Sequence, residues 1–177
     1  MTTLPADMAA TSRPQPAENT KKINFGALAI SLAITLAVGA LGGLFTANSV
    51  KTWYKTLAKP SFNPPDSLFS PVWTTLFILI GIAAYLVWRN RAAVAHWPRV
   101  VAIYAIQLIL NLMWSFLFFY KRDIGFALIE IFVFLVIIII NAIVFYRINK
   151  WAGYLFVPYI LWVSFAAILT WQIYILN

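Results

Sequence analysis

Few side chains in this 177-residue chain could take part in chemistry. It has one histidine and five acidic residues, which supply no paired carboxylates and no Ser/His/Asp set for acid–base or nucleophilic work. Cysteine is absent, so disulfides, thiolate metal sites and thiol catalysis are excluded. His96 precedes Trp97 and Pro98 in a loop, a solvated position rather than that of a haem ligand, and no metal is assigned. Recognition by amides and aromatic rings is what remains. Asn111 and Glu130 lie inside long apolar runs, where polar groups are costly and turn toward the protein interior. Asn111 and Trp114, one helical turn apart, face inward together. Pro158, Tyr159, Trp162, Phe165, Ala166 and Leu169 make one helical stripe, and Trp73, Phe77, Ile80, Gly81, Ala84 and Trp88 make another. Such stripes serve either helix packing or a ligand, and spacing leaves both open. The same holds for Asn111 (interhelical hydrogen bond or ligand contact) and for Glu130 (helix contact or boundary acid).

The elements that must position these groups are membrane helices. The chain is 63% hydrophobic, 17% aromatic and 10% charged, a composition unlike that of a soluble domain. Five apolar runs, about residues 23–46, 72–88, 100–120, 124–146 and 152–176, are each near the roughly 20 residues a helix needs to span hydrocarbon. A β-barrel would alternate in polarity, whereas "FVFLVIIIINAIVF" is apolar at both parities. The fold class is therefore all-α: one five-helix transmembrane domain over 23–177, preceded by a Pro-, Ala- and Thr-rich tail over 1–22 that is expected to be disordered. The first run is too long for a cleaved signal peptide. The net charge of +8 sits at the span ends, pointing to lipid headgroups and anionic ligands rather than nucleic acid. Eight cations fall on the side of the N-terminus and five on the other, which favours a cytoplasmic N-terminus. No internal repeat is visible, so alternating access is not the first reading.

One connection is unusually long. Between Trp53 and Trp73, "WYKTLAKPSFNPPDSLFSPVW" holds four prolines and five aromatics. Val50, Trp53, Tyr54 and Leu57 fit one face of a short interfacial helix, for which Asn48 or Ser49 could be the N-cap. Lys59, Asn63, Pro64 and Ser70 each precede a proline, which disfavours helix, so the segment after Leu57 is expected to be extended and stiff, as a lid would be. Pro158 predicts a bend in the last span, and Gly39 with Gly43 predicts close helix approach, within the bundle or between copies.

These residues resemble the signature of the translocator proteins, or tryptophan-rich sensory proteins (TspO, peripheral benzodiazepine receptor). The match runs through Trp53-Tyr54, Leu57-x-Lys59-Pro60, Pro64-Pro65, Pro71-Val72-Trp73, Gly81 and "YLVW" at 85–88. It continues in "LNLMWSFLFF" at 110–119, Gly125 with 126–128, and "PYILWVSFA" at 158–166, and covers the chain from Leu41 onward. The resemblance implies a homodimeric five-helix bundle in a membrane, a bacterial cell membrane being expected here. Its first loop would close a pocket for protoporphyrin or a related tetrapyrrole such as haem, with no cofactor required. It implies a pocket of Trp73, Asn111, Trp114, Trp162, Phe165, Ala166 and Leu169, with Trp53, Lys59, Pro60 and Pro65 in the lid. In some bacterial members the tryptophans matching Trp73 and Trp162 are implicated in light-dependent porphyrin breakdown, which would make these two the catalytic residues if there is turnover. Thr170 and Phe126 depart from the Asn and Trp common in the family. The sterol-associated cation after the last span is missing from "WQIYILN", which disfavours sterol transport. A porphyrin's flat apolar face would stack on indole and phenyl rings, and its propionates would meet Lys51, Lys55 and Lys59. Three functional classes follow: a porphyrin-binding sensor or transport factor in porphyrin homeostasis and stress response, a photo-oxidative degrader, or a structural membrane partner without a ligand.

Overall fold

A computed structural model describes residues 23–177; the 1–22 tail lies outside the described residues. Helix α1 spans Phe25–Lys51, α2 Trp53–Thr56, α3 Asp66–Arg89, α4 Trp97–Ser115, α5 Ile124–Ile148, α6 Lys150–Tyr154 and α7 Val157–Leu176. A π-helical turn, Phe116–Tyr120, prolongs α4, and a 3₁₀ turn, Arg91–Ala93, follows α3. Five helices are long and apolar enough to cross a membrane: α1, α3, α4 with its π turn, α5, and α6 with α7.

Alternation of direction puts the C-terminal halves of α1, α4 and α7 and the N-terminal halves of α3 and α5 at one end, with α2 and its loop. We call this the loop end. The opposite half is solidly filled. Ile80, Ala83, Ile138, Ala152 and Phe156 are wholly buried there, and Phe145 nearly so. Because lipid tails are as apolar as leucine, close packing and hydrogen bonds rather than water exclusion hold such helices together. Glycine supplies the closeness: a Cβ on Gly153 would lie 2.8 Å from the Cα of Tyr146, and one on Gly81 would lie 3.2 Å from the Cα of Leu32. Hydrogen bonds tie α1 to α3 in this half, Ser31 Oγ to the Gly81 carbonyl at 2.7 Å and Asn24 N to Tyr85 Oη at 2.8 Å.

The helix ends differ from the sequence reading in three places. Asn48 and Ser49 do not cap α2, because α1 runs through them to Lys51; Ser49 is buried and its hydroxyl donates to the Phe119 carbonyl, which holds the last turns of α1 against the π turn. Helix α2 is a single turn, and its expected face does turn inward, with Tyr54 buried and Val50, Trp53 and Leu57 packed on the same cluster. The stiff segment is shorter than expected, since α3 starts at Asp66 and includes Ser70 and Pro71. Pro71 costs the helix one hydrogen bond only a turn and a half from its start, and the preference it imposes on Ser70 is overridden. The hydroxyls of Thr74 and Thr75 add bonds there to the carbonyls of Ser70 and Pro71, 2.9 Å each. The bend expected near Pro158 is a two-residue turn at Leu155–Phe156, both still in right-handed helical backbone, after which α7 continues with the proline in its first turn.

Close packing in the filled half sets a testable contrast. Gly153→Ala forces backbone apart and should lower the stability of the detergent-solubilised chain by about 1–3 kcal/mol, read by thermal unfolding. Gly43→Ala, whose Cβ meets nothing within 4 Å, should stay within about 0.5 kcal/mol of the parent. Equal effects at the two sites would contradict the division into a filled and a hollow half.

Candidate functional site

The loop-end half holds a partly open cavity of about 710 Å³, within the roughly 300–1,000 Å³ of small-molecule sites. Its walls come from α1, α3, α4 and α7, mostly from the middle of the helices to the loop end, with α2 and the π turn, and none from α5. Small residues make the α1 wall thin: Gly39, Ala40, Gly42, Gly43 and Ala47 all line it, and Ala40, Gly43 and Ala47 are exposed. A Cβ on Gly39 would lie 2.5 Å from the Phe77 ring, so the glycine seats that ring against α1. Gly39 and Gly43 thus both border this space.

The floor is polar. Gln107 and Asn111 share a face of α4, and their amides donate to Tyr159 Oη of α7 at 2.9 Å each. Asn141 of α5 donates to Gln107 Oε1 at 3.4 Å. Tyr159, Gln107 and Asn141 are fully buried, so three spans are joined by these bonds where the filled half meets the hollow one. Asn111 belongs to both, bonded to Tyr159 and lining the cavity.

Above the floor the walls are aromatic. The Trp73 ring stands edge-on to Tyr159 at 6.3 Å and 5.8 Å from Phe77. Trp114 stacks on Phe118 at 5.1 Å and 16°. Trp162 meets Phe69 edge-on at 5.9 Å. The π turn swells the helix where Phe118 and Phe119 line the cavity, as such turns often do at functional positions.

Of the residues the sequence singled out, the structure brings Trp73, Asn111, Trp114, Trp162, Ala166 and Leu169 to this one cavity. Phe165 does not line it; its ring lies between Trp162 at 5.7 Å and Phe62 of the loop at 6.2 Å. The four loop residues stand off the cavity surface. Trp53 sits edge-on to Phe118 at 5.6 Å, Lys59 Nζ lies 4.2 Å from the Tyr54 ring centre, the Pro60 carbonyl closes a turn with Asn63 N at 3.0 Å, and Pro65 caps α3. Glu130 is also outside the lining, its carboxylate oxygens enclosed without a hydrogen-bond partner. His96 is exposed, and no metal-binding cluster occurs among the described residues.

Sequence reasoning did not assign Tyr54, Phe69, Phe118 or Asp66 to the site, and all four line it. Of the three lysines expected to meet a ligand's propionates, Lys51 lines the cavity, while Lys55 and Lys59 do not. Tyr54 was readable as the inward residue of the α2 face, but its neighbourhood depends on contacts from other spans. Its hydroxyl donates to Asn63 Oδ1 at 2.9 Å. Burial, with the nearby Asp66 carboxylate adding to it, pushes its phenol up from 10.0 to about 12. Lys51 and Asp66 bring one charge of each sign to the cavity wall at the loop end.

Comparison with known proteins finds one family. The model of the TspO/MBR family matches residues 31–176. The tryptophan-rich protein TspO of Chlorobaculum tepidum is 43% identical over 85% of this chain and 95% of its own length. That of Archaeoglobus fulgidus is 40% identical over 88% and 99%. The translocator protein of Sus scrofa is 32% identical over 77% and 84%.

Two outcomes test the site's internal bonding. Tyr159→Phe leaves two buried amides without their acceptor and should cost about 1–3 kcal/mol of stability, whereas Tyr174→Phe, on an exposed ring, should cost less than about 0.5. Tyr54 is neutral in the closed loop, so its stabilising contribution is complete below pH 10.0 and is lost as pH rises toward 12. Phenolate absorbance should therefore show one late-titrating tyrosine that Tyr54→Phe removes; a Tyr54 midpoint near 10.0 would contradict its burial under the loop.

Proposed function

We propose that this chain, which belongs to the TspO/MBR family of membrane proteins, binds a flat tetrapyrrole such as protoporphyrin in the loop-end cavity and serves as a sensor or transport factor for it. The observation that carries the reading is the convergence of Trp73, Trp114 and Trp162, from three different helices, on one largely apolar cavity with a hydrogen-bonding floor. A macrocycle presents two broad faces for such rings to stack on, each aromatic contact contributing about 0.5–1.5 kcal/mol beyond the buried area. Its carboxylates would find Lys51 at the cavity wall, while Asp66 at the same loop end opposes a second anionic charge close by. Ser70 and Ser115 line the cavity, but no histidine does and Asp66 is the one carboxylate among its lining residues, so no activated nucleophile or paired acid–base set is assembled there, which favours binding over hydrolytic chemistry.

A second reading rests on the same two indoles. With Trp73 and Trp162 both on the cavity wall, a photoexcited porphyrin would lie within contact of two oxidisable rings. Light-dependent degradation would then be an activity added to binding.

Titration of the purified chain with protoporphyrin in the dark separates these readings. Saturable one-site binding is expected, with Trp73→Phe and Trp162→Phe each weakening it about 3- to 10-fold. Trp151→Phe, on an indole 72% exposed, should stay within about twofold. Loss of the porphyrin absorption band under illumination, absent in the Trp73→Phe/Trp162→Phe chain, would establish the degrading activity. Absence of saturable binding would leave a structural membrane partner as the function.

A further inference from the structure

The cavity has a neighbour. On the outer side of the α3–α7 seam lies a second hollow of about 540 Å³, lined by Leu68, Pro71, Val72, Thr75, Leu76 and Leu79 of α3 and by Pro158, Leu161 and Trp162 of α7. Trp162 is the one residue that lines both spaces, so its indole stands at the boundary between the groove and the cavity. Leu68 and Leu161 are 43% and 65% exposed, and both belong to membrane-crossing helices, so this groove faces hydrocarbon.

We infer that the α3–α7 groove is a lateral entrance through which an apolar, flat ligand passes between the bilayer and the inner cavity, with Trp162 as its door. The inference rests on the binding reading above and adds the route.

Three features support that path over one through the loop. The first is polarity. Every groove side chain is apolar except Thr75, whose hydroxyl is already bonded to the Pro71 carbonyl at 2.9 Å, so a ligand sliding in from lipid strips no polar group of its partner.

The second is the construction of the seam. Helix α3 packs on α1 and, at the filled end, on α6, while rings bridge it to α7, Phe69 to Trp162 and Trp73 to Tyr159. Rings change rotamer without moving backbone. Pro71 and Pro158 both border the groove, so each helix lacks one backbone hydrogen bond beside it.

The third is how firmly the loop is fastened. The Asn177 side chain holds both backbone groups of Ala58, accepting from its N–H and donating to its carbonyl at 3.0 Å each, and it also donates to Ile173 of α7 at 2.8 Å. Tyr54 is bonded to Asn63 and covered by Lys59. Passage beneath the loop requires these contacts to part together, whereas passage through the groove breaks none of them.

The native chain lacks cysteine, so paired cysteines report cleanly. In vesicles, Val72→Cys/Leu161→Cys is joined by a bis-maleimide to close the groove, and Ala58→Cys/Asn177→Cys is joined likewise to fasten the loop. Protoporphyrin exchange with donor vesicles is then timed in the dark, alongside equilibrium titration. Closing the groove should slow exchange at least about tenfold with affinity within threefold, while fastening the loop should leave the rate within about twofold. Leu161→Trp, filling the groove without a linker, should slow exchange in the same direction. Unchanged exchange with the groove closed, or slowing only with the loop fastened, overturns the lateral entrance while leaving the binding reading intact. No saturable binding by the unmodified chain would remove the binding reading and the entrance with it.

Discussion

The hydrogen bonds that Gln107 and Asn111 give to Tyr159 are the constraint on which this fold turns. In hydrocarbon no water replaces a lost partner, so three spans that each bury a polar group are obliged to bring those groups together. Asn141 adds the third span through Gln107. The position of this cluster divides the bundle. On its far side glycines let helices meet almost backbone to backbone, and on its near side the helices are parted by rings.

A hollow half has a cost, because wall atoms that face empty space forgo dispersion contacts, and between membrane helices those contacts are a principal source of association. The filled half offsets it. The close approaches at Gly81 and Gly153 and the α1–α3 hydrogen bonds hold the helices at one end, so that the other end can stay open without the bundle collapsing. Aromatic side chains suit the open end for the same reason. Trp73 and Trp114 hold the walls apart, and with Trp162 they present flat surfaces to whatever occupies the space between them. The site is thus a consequence of how the polar cluster and the glycines are distributed along the helices.

Much of this was legible in the sequence, and the parts that were not share a cause. Five spans follow from the lengths of apolar runs; spacing put Trp73, Trp114 and Trp162 on helical stripes, and only the family resemblance implied that they share a pocket. The turn before Pro158 follows from a missing N–H. Boundaries were less readable where tertiary contacts override local preference: α1 continues to Lys51 because Ser49 bonds across to the π turn, and α3 takes Pro71 into its second turn. The role of Gly39 and Gly43 was undecidable from spacing, since GxxxG looks the same whether it faces a partner or a cavity. Tyr159 stood on the expected α7 stripe, yet nothing local marked it as the acceptor for two amides, because those donors are 48 and 52 residues away. The place of Tyr54 and Lys51 on the cavity wall likewise depends on residues from other spans.

The central claim, that the loop-end half receives a flat aromatic guest between its indoles, is tested most directly by solving the structure of the chain crystallised from lipid with protoporphyrin. The account predicts continuous density for one macrocycle between Trp73 and Trp162, above Asn111, with a carboxylate directed to Lys51. Density confined to the outer surface of the bundle, or an inner cavity closed by inward collapse of Phe77 and Trp114, would contradict it.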